Sequence, residues 1–287
     1  MNIIKAVILG IVQGLTEFLP VSSSGHLVLI QKIFGITAPA LFFDTMLHAG
    51  TLLAVFTCLW RDIWNILRKL IQPLTGFLVL STIPAVAAAL LFGDIIEDAF
   101  ESGQFLGVCF LTTSALLVIA ELLSAKRHLL CRSPEDVTKR ADSGKNSVKA
   151  ENMNWLDAII IGIMQAVAII PGISRSGATI SGALSRKLDR DFAARFSFLL
   201  SIPAILGAVV LQTKETITNN AAAEAASESI SAATVVAGAT SAAIVGFLAM
   251  KLMFKIIREK SLYGFAIYTA VLGILILVDQ FITHLVF

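Results

Sequence analysis

The sequence predicts an all-α, polytopic membrane protein with six transmembrane helices and two re-entrant helical hairpins forming an inverted-topology repeat. Three observations predict it. Only 15% of the 287 residues are charged while 56% are hydrophobic, whereas soluble domains are about 25% charged. Apolar stretches long enough to cross a bilayer recur along the whole chain. Two further apolar segments are each broken midway and carry polar motifs that match one another. The chain reads as one integral membrane domain over 1–287, with a first repeat over 1–125, a cytoplasmic loop over 126–154 and a second repeat over 155–287.

A spanning helix needs about 20 apolar residues. Six stretches qualify: Phe42–Trp60, Pro73–Gly93, Gln104–Leu123, Phe196–Gln212, Ala232–Met253 and Tyr263–Thr283. Loop charge sets their direction. Lys126 to Asn154 holds seven Lys or Arg against four acids, Arg61 to Lys69 holds three basic residues, and Lys251 to Lys260 holds four; these loops are expected in the cytoplasm. Asp94 to Glu101 has four acids and no base, and Gln212 to Ala233 has one Lys and three acids; both are expected outside. Six spans alternate correctly between the two sets, which leaves both termini outside. The basic run Arg186, Lys187, Arg190 and Arg195 reads as a positive-inside anchor. A net charge of +2 gives no reason to expect a nucleic-acid partner. Cys58, Cys109 and Cys131 lack metal or redox spacing and read as small apolar residues without a disulfide.

The segments Ile3 to Ile30 and Trp155 to Leu184 are apolar enough to enter the bilayer but are interrupted at Pro20 and at Pro171-Gly172. From Ala6 to Phe18 a helix would run only about 20 Å, short of a hydrocarbon core of about 30 Å. Each segment therefore reads as a hairpin that turns back, a backbone tolerated at depth only when it is buried in protein or lines a wet cavity. At an offset of 152 residues, Gly10, Ile11 and Gln13 match Gly162, Ile163 and Gln165, and Ser22, Ser24 and Gly25 match Ser174, Ser176 and Gly177, six identities in 16 positions. Copies that enter from opposite faces place a site where their tips meet.

The first motif runs from Gln13 through Glu17 and Pro20 to Ser22, Ser23, Ser24, Gly25 and His26. Gln13 and Glu17, four apart, share one helix face. An ionisable residue inside an apolar segment is expensive and marks function. After Pro20 a serine is expected to cap a new half-helix, whose free N–H groups and dipole form an anion site. A carboxylate, a histidine and a hydroxyl around an anion site suit acid–base or nucleophilic phosphoryl chemistry. His48 pairs with Asp44 at a spacing of four and reads as structural, near the outer surface. The second motif, Pro171-Gly172-Ile173-Ser174-Arg175-Ser176-Gly177-Ala178-Thr179, repeats the break and the cap and adds Arg175. A guanidinium fork matches phosphate oxygens. An ion pair with Glu17 is its alternative use, and both can hold in turn if substrate or metal displaces the pair. Thr179, one turn on, can add a hydroxyl. Ser22, Ser24, Gly25, Ser174, Ser176, Gly177 and Thr179 are thus the candidate phosphate-binding residues. No carboxylate cluster could cage a divalent ion alone, but Glu17 with Gln13 could hold magnesium or calcium against a diphosphate.

At these two motifs the chain resembles the bacitracin-resistance family of undecaprenyl-diphosphate phosphatases, and length and span pattern extend the resemblance over essentially the whole chain. It implies a multi-pass enzyme of the bacterial plasma (inner) membrane. Such an enzyme converts undecaprenyl diphosphate to the monophosphate with a divalent cation, opens toward the periplasmic face, recycles the lipid carrier for cell-wall synthesis and confers bacitracin resistance. The family's first acidic motif has Glu or Gln, three residues, then Glu; Gln13 leaves one carboxylate where some relatives have two, so Glu17 is the stronger candidate for base or metal ligand. Ser23, activated by Glu17 or His26, and His26 itself are the alternative nucleophiles, besides water. Ser23-Ser24-Gly25-His26 also approaches the Pro-Ser-Gly-His of type 2 phosphatidic-acid phosphatases, but the chain contains no Arg-Pro dipeptide for their first motif. The expected partners are the lipid substrate and membrane lipids, with a homodimer left open. A polyprenyl-phosphate transporter or flippase is the rival reading, since inverted repeats with broken helices are a transporter signature; transport needs Arg175 and the helix ends but no acid–base pair. An intramembrane serine protease would leave Arg175 and the anion nests without a task.

Overall fold

The structure is a computed structural model that describes residues 1–36, 41–130, 153–218 and 231–286. Among the described residues the regular structure is entirely helical: α1 (Ile3–Phe18), α2 (Ser23–Ile33), α3 (Leu41–Cys58), α4 (Trp60–Arg68), α5 (Pro73–Ser102), α6 (Leu106–Leu130), α7 (Trp155–Val167), α8 (Arg175–Ser185), α9 (Arg190–Thr218), α10 (Ala232–Glu259) and α11 (Tyr263–Val278), with a π-helical turn at Asp279–Thr283. Most of the loop at 126–154, with Cys131, and the centre of the 212–233 segment lie outside the described residues.

Pro73–Gly93, Leu106–Ser124, Arg190–Val210, Ala232–Glu259 and Tyr263–Thr283 are long and apolar enough to cross a bilayer, and Phe42–Cys58 makes a sixth when joined to Trp60–Arg68. Large apolar side chains stay exposed along them, among them Val79, Leu90, Ile244, Leu248 and Ile267. In water that would be a liability; against lipid it is the expected outer surface. Three expectations need correction. Arg61 to Lys69 is not a loop: α4 turns 79° away from α3 at Leu59 and places Ile63 inward and Trp60, Trp64 and Leu67 outward. A short helix with that composition suits the membrane interface, where indole rings sit at headgroup level. Asp94 to Glu101 is not a loop either, because α5 resumes beyond a non-helical Phe92 and runs to Ser102. The basic run is more than an anchor. Arg186 pairs with Asp157 at 2.7 Å, Arg190 with buried Glu121 at 2.6 Å, and Arg195 with Asp62 at 3.0 Å and Asp191 at 2.8 Å. These pairs let α9 begin at Arg190, six residues before the apolar stretch.

Both broken segments are hairpins. α1 spans 16 residues and α7 spans 13, about 24 and 20 Å, so neither crosses a core of about 30 Å. Each returns beside its own start. Lys5 Nζ at the foot of α1 donates to the Phe34 carbonyl that ends α2, at 2.9 Å, and the Asp157–Arg186 pair closes the second hairpin at the same place. The turns are made where the sequence breaks: Ser22 takes φ +70° and Gly172 φ +92°. The two halves then exchange partners. α1 of the first packs on α10 of the second, α7 of the second packs on α5 of the first, and α6 packs on α11.

The α1–α10 seam brings the backbones unusually close. A Cβ on Gly10 would lie 2.2 Å from the Gly238 carbonyl oxygen, and one on Gly14 would lie 2.6 Å from that of Ala242. On α10, Gly238, Ala242 and Gly246 recur every four residues, the small-residue spacing that lets membrane helices touch. Gly14→Val is therefore expected to cost at least about 1–3 kcal/mol through overpacking. The measurement is the thermal midpoint of the purified protein in detergent; an unchanged midpoint would contradict this seam.

Candidate active site

The site lies where the two hairpin tips meet. Ser22 caps α2, its Oγ accepting from the Gly25 N–H at 3.3 Å and lying 3.3 Å from Ser24 Oγ. Ser174 caps α8 in the same way, accepting from the Gly177 N–H at 3.0 Å with Ser176 Oγ at 3.3 Å. Each start therefore keeps unpaired N–H groups and a positive dipole end, the elements of an anion site. The tips are tied to each other: Ser176 Oγ donates to the Leu19 carbonyl at 3.1 Å, and the Gly172 N–H donates to Ser24 Oγ at 3.4 Å. Gly25 faces Gly172 so closely that a Cβ there would lie 3.1 Å from the Gly172 Cα.

Glu17 is the hub. It is buried at 6% exposure. Its Oε1 accepts from Arg175 at 2.5 Å. Its Oε2 accepts from Ser23 Oγ at 2.6 Å and from Gln13 Nε2 at 3.0 Å, and His48 Nε2 lies 3.7 Å away. The structure thus joins Gln13, Glu17, Ser23 and Arg175 in one cluster and adds His48. The purely structural reading of His48 missed this contact: its Nδ1 donates to the Asp44 carbonyl at 2.8 Å, which turns Nε2 toward Glu17. Gln31, in turn, donates to Asp44 Oδ1 at 2.7 Å.

His26 is placed differently. Its Nδ1 lies 2.6 Å from the Ser22 carbonyl and its Nε2 lies 2.7 Å from the Tyr268 hydroxyl. Thr179 turns its hydroxyl to the Arg175 carbonyl at 2.9 Å and to Ser197 Oγ at 2.5 Å, so it braces the second tip. Three supporting residues escaped the sequence reading. Ser197 also accepts from Arg175 Nη1 through its carbonyl at 3.4 Å. Thr113 accepts from the Ser174 N–H at 3.0 Å and donates to the Gly172 carbonyl at 3.2 Å, which fixes the turn. Tyr268 holds His26. Each lies in an apolar span and belongs to no recognisable motif; only His48, by its spacing from Asp44, gave a signal.

Chemically, the cluster sets a hydroxyl against a carboxylate and a guanidinium against the other oxygen of that carboxylate, between two anion-binding helix starts. The model of the bacitracin resistance protein BacA matches residues 6–275, which include both hairpins. The chain belongs to the BacA family. It is 43% identical to an undecaprenyl-diphosphatase of Carboxydothermus hydrogenoformans over 98% of both chains. It is also 43% identical to undecaprenyl-diphosphatase 4 of Bacillus cereus, again over 98% of both. An undecaprenyl-diphosphatase of Methanosphaera stadtmanae shares 38% identity over 97% of this chain and 98% of its own. The BacA family match thus covers every element from α1 to near the end of α11.

Proposed function

We propose that this chain hydrolyses undecaprenyl diphosphate to undecaprenyl phosphate and inorganic phosphate, the activity for which its BacA relatives are named. The observation that carries the reading is the hydrogen bond from Ser23 to Glu17 beside Arg175. The terminal phosphate takes its place between the N–H groups of α2 and α8 and the Arg175 guanidinium, which releases Glu17. Ser23 Oγ attacks the terminal phosphorus, its proton passes to Glu17, and undecaprenyl phosphate leaves as the P–O bond to it breaks. Glu17 passes that proton to the departing lipid phosphate. Water then attacks the phosphorus of the phosphoserine. Glu17 takes a proton from the water and returns it to Ser23 Oγ as the P–O bond to serine breaks, and inorganic phosphate is released. Stabilisation of charge by fixed N–H groups and Arg175 is the larger part of such catalysis. A transporter would have no use for the Ser23–Glu17 bond.

A divalent cation fits this site in a limited way. Gln13 Oε1 is buried without a partner, next to the Glu17 carboxylate. Among the described residues no three His, Cys, Asp or Glu gather as a metal cage. Glu17 and Gln13 would hold magnesium or calcium together with substrate oxygens and water, and the ion would offset charge on those oxygens. The two hairpins with three spans in each half support inverted copies. That arrangement, with the loop charges, supports placement in the inner membrane with the pocket open to the periplasm.

Purified protein in detergent is expected to release phosphate from undecaprenyl diphosphate. Rapidly quenched enzyme is expected to carry phosphate on Ser23 by mass spectrometry, and Ser23→Ala to lower turnover by about a thousandfold. Phosphate found on His26 with Ser23→Ala fully active would reverse the assignment.

A further inference from the structure

Both ring nitrogens of His26 are engaged in the resting site. A carbonyl oxygen only accepts, so the contact of Nδ1 with the Ser22 carbonyl at 2.6 Å places the proton on Nδ1. In the neutral ring Nε2 is then an acceptor, and the Tyr268 hydroxyl at 2.7 Å donates to it. The two rings lie 8° from parallel with centroids 5.7 Å apart, and Phe110 meets the imidazole edge-on at 5.3 Å. Tyr268 stands 242 residues further along the chain, on α11, and is 47% exposed whereas His26 is buried at 7%. Its ring does little to fill the core; its hydroxyl reaches inward.

What His26 holds is the start of α2. The Ser22 carbonyl receives both the His26 backbone N–H at 3.3 Å and the imidazole Nδ1–H. Ser22 sits at φ +70°, where residues other than glycine are uncommon. Its hydroxyl caps the half-helix whose first residue is Ser23. The opposite imidazole tautomer would aim a lone pair at the Ser22 carbonyl and release this restraint.

We propose that Tyr268 is a positioning residue for the reaction: by donating to His26 Nε2 it fixes the ring form that anchors Ser22 and thereby places Ser23 against Glu17. Tyr268 acts through His26 and does not touch the phosphate. In this arrangement His26 has no free nitrogen with which to attack phosphorus. A side chain that fixes the orientation and tautomer of a histidine is a recurring device in catalytic sites.

The kinetic part of the test rests on the phosphatase reading; the spectroscopic part does not. Tyr268→Phe keeps the stacked ring and removes only the hydroxyl. It is expected to lower kcat by about tenfold, the loss that corresponds to one neutral hydrogen bond, with KM changed less than about twofold. The 15N shifts of the His26 imidazole, read in detergent, are expected to move from the Nδ1–H form toward a mixture with the Nε2–H form. In a His26→Asn background the same substitution is expected to change the residual rate less than about twofold, because its effect passes through the ring. An equal loss in both backgrounds would overturn the proposal, since Tyr268 would then act independently of His26. Unchanged 15N shifts together with wild-type kcat would overturn it too, and the shifts decide alone where His26→Asn leaves no measurable rate. A wild-type protein that releases no phosphate would defeat the functional reading instead, leaving the His26–Tyr268 bond to be judged by its 15N signature.

Discussion

Arg175→Ala is expected to raise KM for the lipid diphosphate and to lower kcat/KM by at least about a hundredfold. The guanidinium sits at the joined tips with its side chain 16% exposed, one Nη bonded to Glu17 and the other to the Ser197 carbonyl. A charge-assisted hydrogen bond contributes about 1.5–3 kcal/mol, and two such bonds to a phosphate account for a hundredfold or more. The same substitution strands the Glu17 carboxylate, which is 5% exposed. Breaking a buried pair from one side costs about 3–5 kcal/mol, so the thermal midpoint in detergent falls as well. Stability and catalysis separate in a double variant. Glu17→Gln combined with Arg175→Ala removes both charges and is expected to recover most of the midpoint and none of the rate. Arg175→Lys is not expected to rescue turnover, because an ammonium lacks the planar fork. If the double variant is as unstable as Arg175→Ala alone, the ion pair is not what holds the tips together.

Much of this site was legible because its parts violate the rule for apolar segments. Glu17 and Arg175 are charged where lipid is expected, and Pro20 and Pro171-Gly172 interrupt helices too short to span. Serine before each new half-helix is a local capping signal, and both Ser22 and Ser174 cap as expected. The spans Pro73–Gly93 and Tyr263–Thr283 were read to the residue. What escaped was tertiary. α9 starts at Arg190 because Glu121, Asp62 and Asp191 neutralise its arginines, and those acids are distant in sequence. α4 hid behind its charges: Arg61, Asp62 and Arg68 mark a loop when counted, while Trp60, Ile63, Trp64 and Leu67 form a helical stripe. Tyr268 looks like any aromatic of a lipid-facing helix until the fold brings His26 beneath its hydroxyl. Thr113 likewise gains meaning only from the Gly172 carbonyl and Ser174 N–H that the second broken helix leaves for it to bind, and Ser197 only from the Arg175 and Thr179 side chains that the fold brings to it.

Glu17→Gln separates the roles of the two charged residues most sharply, because its two kinetic effects have opposite signs. The amide still accepts a hydrogen bond from Ser23 but cannot take its proton. Loss of a general base is expected to reduce kcat by about a thousandfold. Binding is expected to tighten at the same time. In the resting site Glu17 occupies Arg175, so an arriving phosphate must displace a carboxylate and then lie beside it. Two like unit charges about 4 Å apart repel by about 4 kcal/mol at an effective dielectric constant of about 20. Removing even a third of that, about 1.4 kcal/mol, strengthens binding about tenfold. The dissociation constant of undecaprenyl phosphate or inorganic phosphate is therefore expected to fall while turnover collapses, so that kcat/KM drops less than kcat. Arg175→Ala moves KM in the other direction, and no general loss of structure produces that contrast. A loss of product affinity that added magnesium restores would assign Glu17 to holding the ion rather than to deprotonating Ser23. The two outcomes are distinguishable in one titration, because base removal leaves Arg175 free for the anion whereas ion loss removes positive charge from the same pocket.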